Sequence, residues 1–372
     1  MNNPSYFACV TLLAAWVASP CLAQGTEPIV VGQTYIASGP VAGFSKEPVL
    51  GIQAMLATVN KAGGIRGRQV VLRQLDDANS AEQAEANVRT LVQQGAVAIL
   101  MPIGTVPSAG AMKAADELKV PVIGPYTGAG MVYGASGAVF PLRISFAEEA
   151  MRIVNHAALI GQARVAAIRI DNPGAKPPID AARKALQARG SDLMSEIVLS
   201  QDGSDVPAKA RQLAAMQPQA IIVSSSNAVA ASFIKAYRAT GVSSQFYSTS
   251  FLNGNQLRKD VADAAAGVVI MQVVPSPKAP MRLAAEYRAA MGAIGAGNQL
   301  SHPSFEGYIA ARTLVEALKR TPAPAKSAAV QQALQSMESH DLGGLTISFK
   351  DRAHGALNYG ELSMIGRDGF IR

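Results

Sequence analysis

Cysteine is almost absent: of the 372 residues only Cys9 and Cys21 carry a thiol, and both lie in an apolar stretch at the amino terminus. Beyond that stretch no disulfide, thiolate nucleophile or cysteine-based metal site can form, so the fold must be held by core burial, which this length allows. Histidine is nearly as scarce. His156, His302, His340 and His354 are the full set, and no two are spaced as a metal pair or a short catalytic motif. No G-x-x-x-x-G-K-[ST] phosphate loop occurs. The 33 Lys and Arg against 26 Asp and Glu leave a charge of +7, but they are scattered, without the basic runs that nucleic-acid binding needs. These gaps exclude thiol chemistry and nucleotide hydrolysis, and they predict a chain with no metal, no cofactor and no nucleic-acid partner. The mild positive charge suits steering of an anion.

Long hydrophobic runs are also missing, with one exception. Residues 6–18 are almost continuously apolar, followed by Ser19-Pro20 and Cys21-Leu22-Ala23 before Gln24. The run is short for a membrane span, and no Lys or Arg precedes it. Small residues at the −3 and −1 positions predict cleavage before Gln24, so residues 1–23 read as a signal peptide and the mature chain as exported to a periplasm.

From Pro28 onward, short apolar runs alternate with longer amphipathic stretches. This is the pattern of an α/β fold with mostly parallel sheets. Strands are expected at 29–33, 69–76, 96–100, 120–123, 163–170, 192–198, 220–223, 245–248 and 268–274. Helices are expected between them, with later ones at 303–319 and 325–337. A Gly-, Ser- and Tyr-rich stretch from Tyr126 to Gly137 divides the series, and Pro275, Pro277 and Pro280 mark a second crossing. Two lobes follow: 24–145 with about 275–340, and 146–274 with about 341–372. The tail, 357–365, alternates as though closing an antiparallel hairpin.

In open α/β sheets ligands lie beyond the carboxyl ends of the strands. There the first half carries Ser38-Gly39-Pro40, the loop Pro102–Ser108 with Thr105, and Tyr126-Thr127. Hydroxyls and helix-start amides suit a carboxylate or other small anion. Ser108 reads equally as an ordinary N-cap. The second half offers Asp171, Ser226-Asn227 and Ser250-Phe251, with Phe146 as an apolar wall and Glu306 near the start of a late helix. Gly63-Gly64-Ile65-Arg66-Gly67 follows a helix instead of a strand, so it reads as a C-cap and tight turn, not a dinucleotide loop. Asp76-Asp77 reads as capping the next helix.

The order of these features is specific: an export segment, a strand, Ser38-Gly39-Pro40, a helix, Asn60-Lys61-Ala62-Gly63-Gly64-Ile65-Arg66-Gly67-Arg68, a strand, then Asp76-Asp77. Gly241-Val242 and Phe305-Glu306-Gly307-Tyr308-Ile309-Ala310-Ala311 continue it. It resembles the periplasmic substrate-binding proteins of ABC importers of the branched-chain amino acid (Leu/Ile/Val) type. The resemblance implies a type I periplasmic-binding fold, two Rossmann-like lobes joined by a multi-strand hinge, and no catalysis. It implies that Ser108 or Thr105, with Thr127 and the backbone around Tyr126, hold a ligand carboxylate. The acidic residue that would receive an α-ammonium falls at or near Ser250, and the aromatic positions near Ala175 and Ser226, so that half of the site departs from the pattern. Asp171 is the candidate replacement charge.

The expected ligand is an amino acid or a related small carboxylate, aromatic acid or amide. The expected partners are a membrane permease and its cytoplasmic ATPase, with the protein a monomer and a weak dimer the alternative. A ligand-sensing receptor of the same fold is the second reading. A small-amide hydrolase is the third, and it lacks an evident base near Ser108 or Ser226.

Overall fold

The computed structural model describes residues 1, 27–39, 41–134 and 137–367. The expected signal peptide and Pro40 lie outside the described residues, apart from Met1. In chain order the elements are β1 (Ile29–Tyr35), α1 (Gly43–Lys61), β2 (Val70–Asp76), α2 (Ala81–Gln93), β3 (Ile99–Leu100), α3 (Thr105–Leu118), β4 (Val122–Ile123) and β5 (Val139–Phe140). Then come α4 (Phe146–Leu159), β6 (Val165–Ile170), α5 (Lys176–Gln187), β7 (Ser195–Leu199), α6 (Val206–Ala215), β8 (Ala220–Ser224), α7 (Asn227–Arg238), β9 (Gln245–Ser248), α8 (Gly254–Val261) and β10 (Val269–Gln272). The chain ends with α9 (Arg282–Ala293), α10 (His302–Arg320), α11 (Ser327–Gln335), β11 (His340–Asp341), β12 (Thr346–Ile347) and β13 (Glu361–Met364).

Two sheets organise the molecule. The first runs β2-β1-β3-β4-β5, all parallel. The second runs β7-β6-β8-β9-β10-β13 and is parallel except for β13, which pairs antiparallel with β10. Both repeat one winding: the first strand of each lobe sits between the second and the third. At that reversal neighbouring loops diverge and leave a crevice beyond the strand ends. The near-continuous apolar strands, such as Ala220–Ser224, are buried throughout because helices cover both faces.

Helices α1 and α10 pack backbone to backbone in the first lobe. A Cβ on Gly51 would sit 1.7 Å from the Ser304 carbonyl oxygen, and one on Gly307 would sit 2.0 Å from that of Pro48. In the turn after α1, Gly63, Gly64 and Gly67 all take positive φ (94°, 76° and 78°), as the C-cap reading requires.

The chain crosses between the sheets three times: after β5, after β10 and before β13. The middle crossing carries the proline cluster. The tail differs from expectation. Leu342, Leu345, Ile347, Phe349, Ala356 and Leu357 are buried in the first lobe's core, so only β13 joins the second sheet. Ala356 and Leu357 donate to the carbonyls of Pro141 and Leu142 (3.0 and 2.9 Å), zipping the last crossing against the first. The final strand therefore pairs with β10 and closes no hairpin; period-two alternation reports a half-buried strand but not its partner.

Candidate functional site

A cleft opens where the carboxyl ends of the two sheets face each other. From the first lobe it receives Ile36 after β1, the start of α3, and the loop after β4. Helix α3 begins one turn earlier than its apolar pattern suggests, because Pro107 is tolerated in a first turn and Gly104 supplies a φ of 93° at the N-cap. This start brings Thr105 Oγ1 within 2.9 Å of Thr127 Oγ1. Thr127 Oγ1 also accepts from the Ala129 amide (3.2 Å), and the Tyr126 amide donates to the Pro102 carbonyl (2.9 Å), so the two loops are tied together. From the second lobe come Ile170, Asn172 and Gly174 after β6, and Ser250-Phe251 after β9. Phe146 forms a wall, and the rings of Phe44 and Phe251 meet across the lobes at 5.3 Å.

Arg143, on the first crossing, sits at the floor of the cleft with only 4 % of its side chain exposed. Its Nη2 donates to Ser250 Oγ, and its guanidinium carbon stands 5.1 Å from the centre of the Tyr126 ring. Glu306 of α10 is 3.5 Å from its Nε, which has no hydrogen-bond partner. Glu149 of α4 accepts from both the Ser250 amide (2.6 Å) and the Ser250 hydroxyl (2.8 Å). Burial opposes the Arg143 charge, but Glu306 and Glu149 outweigh it and hold the guanidinium more firmly protonated than a free one. Burial pushes Glu149 up to about 7 against the pull of Arg143 and Ser250, and it raises Glu306 in the same way.

Of the expected site residues, the cleft collects Thr105, Tyr126, Thr127, Phe146, Ser250 and Phe251. The others lie elsewhere. Ser108 is buried within the first turn of α3, its hydroxyl donating to the Pro102 carbonyl (3.3 Å), so it is neither the N-cap nor a wall of the cleft. Ser38 is exposed beside Asp76. Asp171 points to solvent, 79 % exposed and 3.9 Å from Arg169, and supplies no charge to the cleft. Ser226 caps α7 and Asn227 donates to the Asn253 carbonyl (2.6 Å); both line an adjoining groove that shares Val41, Phe44, Tyr126, Ser250 and Phe251 with the cleft. Glu306 lies behind Arg143, next to His302 in a small polar recess. Asp76 and Asp77 brace the turn before α2, whose N-cap is Ser80.

Arg143 and Glu149 were not singled out from sequence. A signal for the first existed: an arginine flanked by Phe140, Pro141, Leu142 and Ile144 is a charge inside an apolar run. Glu149 is disguised by Glu148, its neighbour in the same helix turn, which completes the capping box with Ser145. Among the described residues no group of three His, Cys, Asp or Glu could hold a metal. The partners of Ser108 and Ser226 are main-chain groups, so neither hydroxyl is paired with a general base.

A family model described as periplasmic binding protein matches residues 28–361. The chain belongs to that family and is a substrate-binding module of the type I fold. A substrate-binding periplasmic protein from Ralstonia solanacearum is similar over 92 % of this chain and 99 % of its own, at 29 % identity and a TM-score of 0.86. An extracellular ligand-binding receptor from Verminephrobacter eiseniae is 29 % identical over 93 % of this chain and 99 % of its own, with a TM-score of 0.82. The Leu/Ile/Val-binding protein homolog 3 of Brucella melitensis is 33 % identical over 90 residues, 24 % of either chain. The chain thus spans about a quarter of the length of that curated relative.

Proposed function

We propose that this chain is the extracytoplasmic solute-binding component of an ABC importer, exported to the periplasm, which captures a small polar ligand between its lobes and delivers it to a membrane permease. The observation that carries the reading is the cleft itself. It lies at the winding reversal of both sheets, is lined by both lobes, and is spanned by three crossings that permit closure. Thr105, Thr127 and Tyr126 form the first-lobe wall of the binding site, and Ser250, Phe251 and Asn172 close over the ligand. Binding favours the closed arrangement of a pre-existing equilibrium, and the permease reads that arrangement. The energy of transport comes from the partner ATPase.

The test is a thermal-shift series on protein from Gln24 onward, unfolded and refolded to remove bound solute. It covers amino acids, aliphatic and aromatic acids, and amides. A ligand that binds only the native state raises the melting temperature. At least one compound is expected to do so with a saturable dose dependence; a flat response across all three classes counts against the reading.

A further inference from the structure

The inner pocket of the cleft, between Thr105, Thr127, Phe146 and Ser250, is lined among the described residues by one charged side chain, Arg143, and by no Asp or Glu; Glu47 and Asp260 lie on the adjoining groove. Most of the remaining wall is apolar, including Ile36, Val41, Phe44, Phe146, Ile170 and Phe251. Glu149 and Glu306, the two carboxylates nearest Arg143, are outside the lining of this pocket and already engaged. Glu149 holds the amide and hydroxyl of Ser250, and Glu306 faces Arg143 Nε from behind. Neither carboxylate lines this pocket, so the guanidinium is the charge that its walls present. The carboxylate closest in sequence to the second-lobe wall, Asp171, is in solvent.

The geometry points to a specific ligand class: a small organic acid with an apolar body and no amine, its negative charge met by Arg143 and its oxygens by the hydroxyls of Thr105, Thr127 and Ser250. This deepens the solute-capture reading and rests on it. An ammonium carried into this pocket would lose its water, find no carboxylate on the pocket lining, and lie near a guanidinium; each effect disfavours the cation. A neutral amide of the same shape would leave the guanidinium without its counter-ion. The apolar wall supplies affinity but does not distinguish these three forms, so the discrimination falls on the charge.

The experiment is titration calorimetry at pH 7.5 on the ligand-stripped chain from Gln24, using two matched sets. One is 4-methylpentanoate, leucine and 4-methylpentanamide; the other is 3-phenylpropanoate, phenylalanine and 3-phenylpropanamide. At least one acid is expected to bind, with its amino acid weaker by about 100-fold or more and its amide weaker by about tenfold or more. Arg143→Met is expected to weaken the acid by about 100-fold, with circular dichroism as the check on folding. Should Arg143→Met fail to fold, Asn172→Asp serves instead. It keeps the oxygen that accepts from the Gly174 amide (2.8 Å) and places a carboxylate on the cleft wall. It is expected to weaken the acid about tenfold and narrow the gap to the amino acid. Leucine or phenylalanine binding the unaltered protein as tightly as its deaminated counterpart overturns this inference and leaves solute capture standing. So does a folded Arg143→Met variant with undiminished affinity for the acid. Silence from all six compounds overturns this ligand class, and solute capture then stands or falls on the wider thermal-shift series.

Discussion

Replacing Glu149 by glutamine isolates one buried carboxyl and predicts a change in how stability depends on pH. Glu149 is fully buried and its carboxyl is pushed to about 7, against an ordinary 4.5. Below pH 4.5 it is protonated in both the folded and the unfolded chain. As the pH rises toward 7, the unfolded chain releases the proton while the folded chain keeps it, so stability is lost across that window and is level again above it. The gap corresponds to about 3 kcal/mol. Glutamine preserves the geometry: its carbonyl oxygen accepts from the Ser250 amide and its amide group donates to Ser250 Oγ. Other groups titrate nearby. Asp77, raised by burial to about 6, loses stability in the same direction, while His302, lowered by burial to about 4, acts in the opposite sense between about 4 and 6.5. The wild-type curve alone is therefore composite, and the difference between variant and wild type removes both. The assay is urea unfolding from pH 4.5 to 8. It is followed by far-UV circular dichroism, because the one tryptophan, Trp16, lies in the expected signal peptide. The stability of Glu149→Gln relative to wild type is expected to rise by about 3 kcal/mol from the acid end to the alkaline end. A difference that stays flat would mean that Glu149 is ionised throughout and neutralised by Arg143, and the burial argument would fail.

Two further outcomes follow from the packing and from the cleft. Gly307→Ala places a methyl group 2.0 Å from the Pro48 carbonyl, so α1 and α10 must separate; urea unfolding should show a loss of about 2–3 kcal/mol despite alanine's better helix propensity, and unchanged stability would contradict the close approach. Thr127→Val keeps the shape but removes the partner of Thr105 and of the Ala129 amide. It should cost about 1 kcal/mol of stability and weaken whichever ligand the thermal-shift series identifies by about tenfold, and an unchanged Kd would show that the hydroxyl does not touch it.

Much of the fold was legible in the residues themselves. Nine of the expected strands coincide with β1–β4 and β6–β10; the central ones, such as β8, are apolar along their length because helices cover both faces, while the edge strands β2 and β7 mix apolar and polar residues. The turn at Gly63–Gly67 was legible for a local reason: positive φ at three nearby positions calls for glycine. The loops after β1, β3 and β4 were legible as a group, since strand ends in this architecture gather on one side.

What local pattern did not contain was orientation and long-range pairing. Ser108 and Thr105 have the same chemistry and are three residues apart, but the start of α3 at Thr105 turns one hydroxyl into the cleft and the other into a main-chain carbonyl. Asp171 and Ser250 both follow strands of the second sheet, and only the curvature of their loops leaves one in solvent and the other at the floor. The charge cluster joins residues 101 and 107 positions apart in the chain, Glu149 and Arg143 with Ser250, so no window over the sequence could hold it. Composition and periodicity determined the class of fold and the side on which a ligand would lie. The sign of the charge on the pocket wall was decided by the tertiary structure alone, because it depends on Arg143 lining the pocket while Glu149 and Glu306 do not.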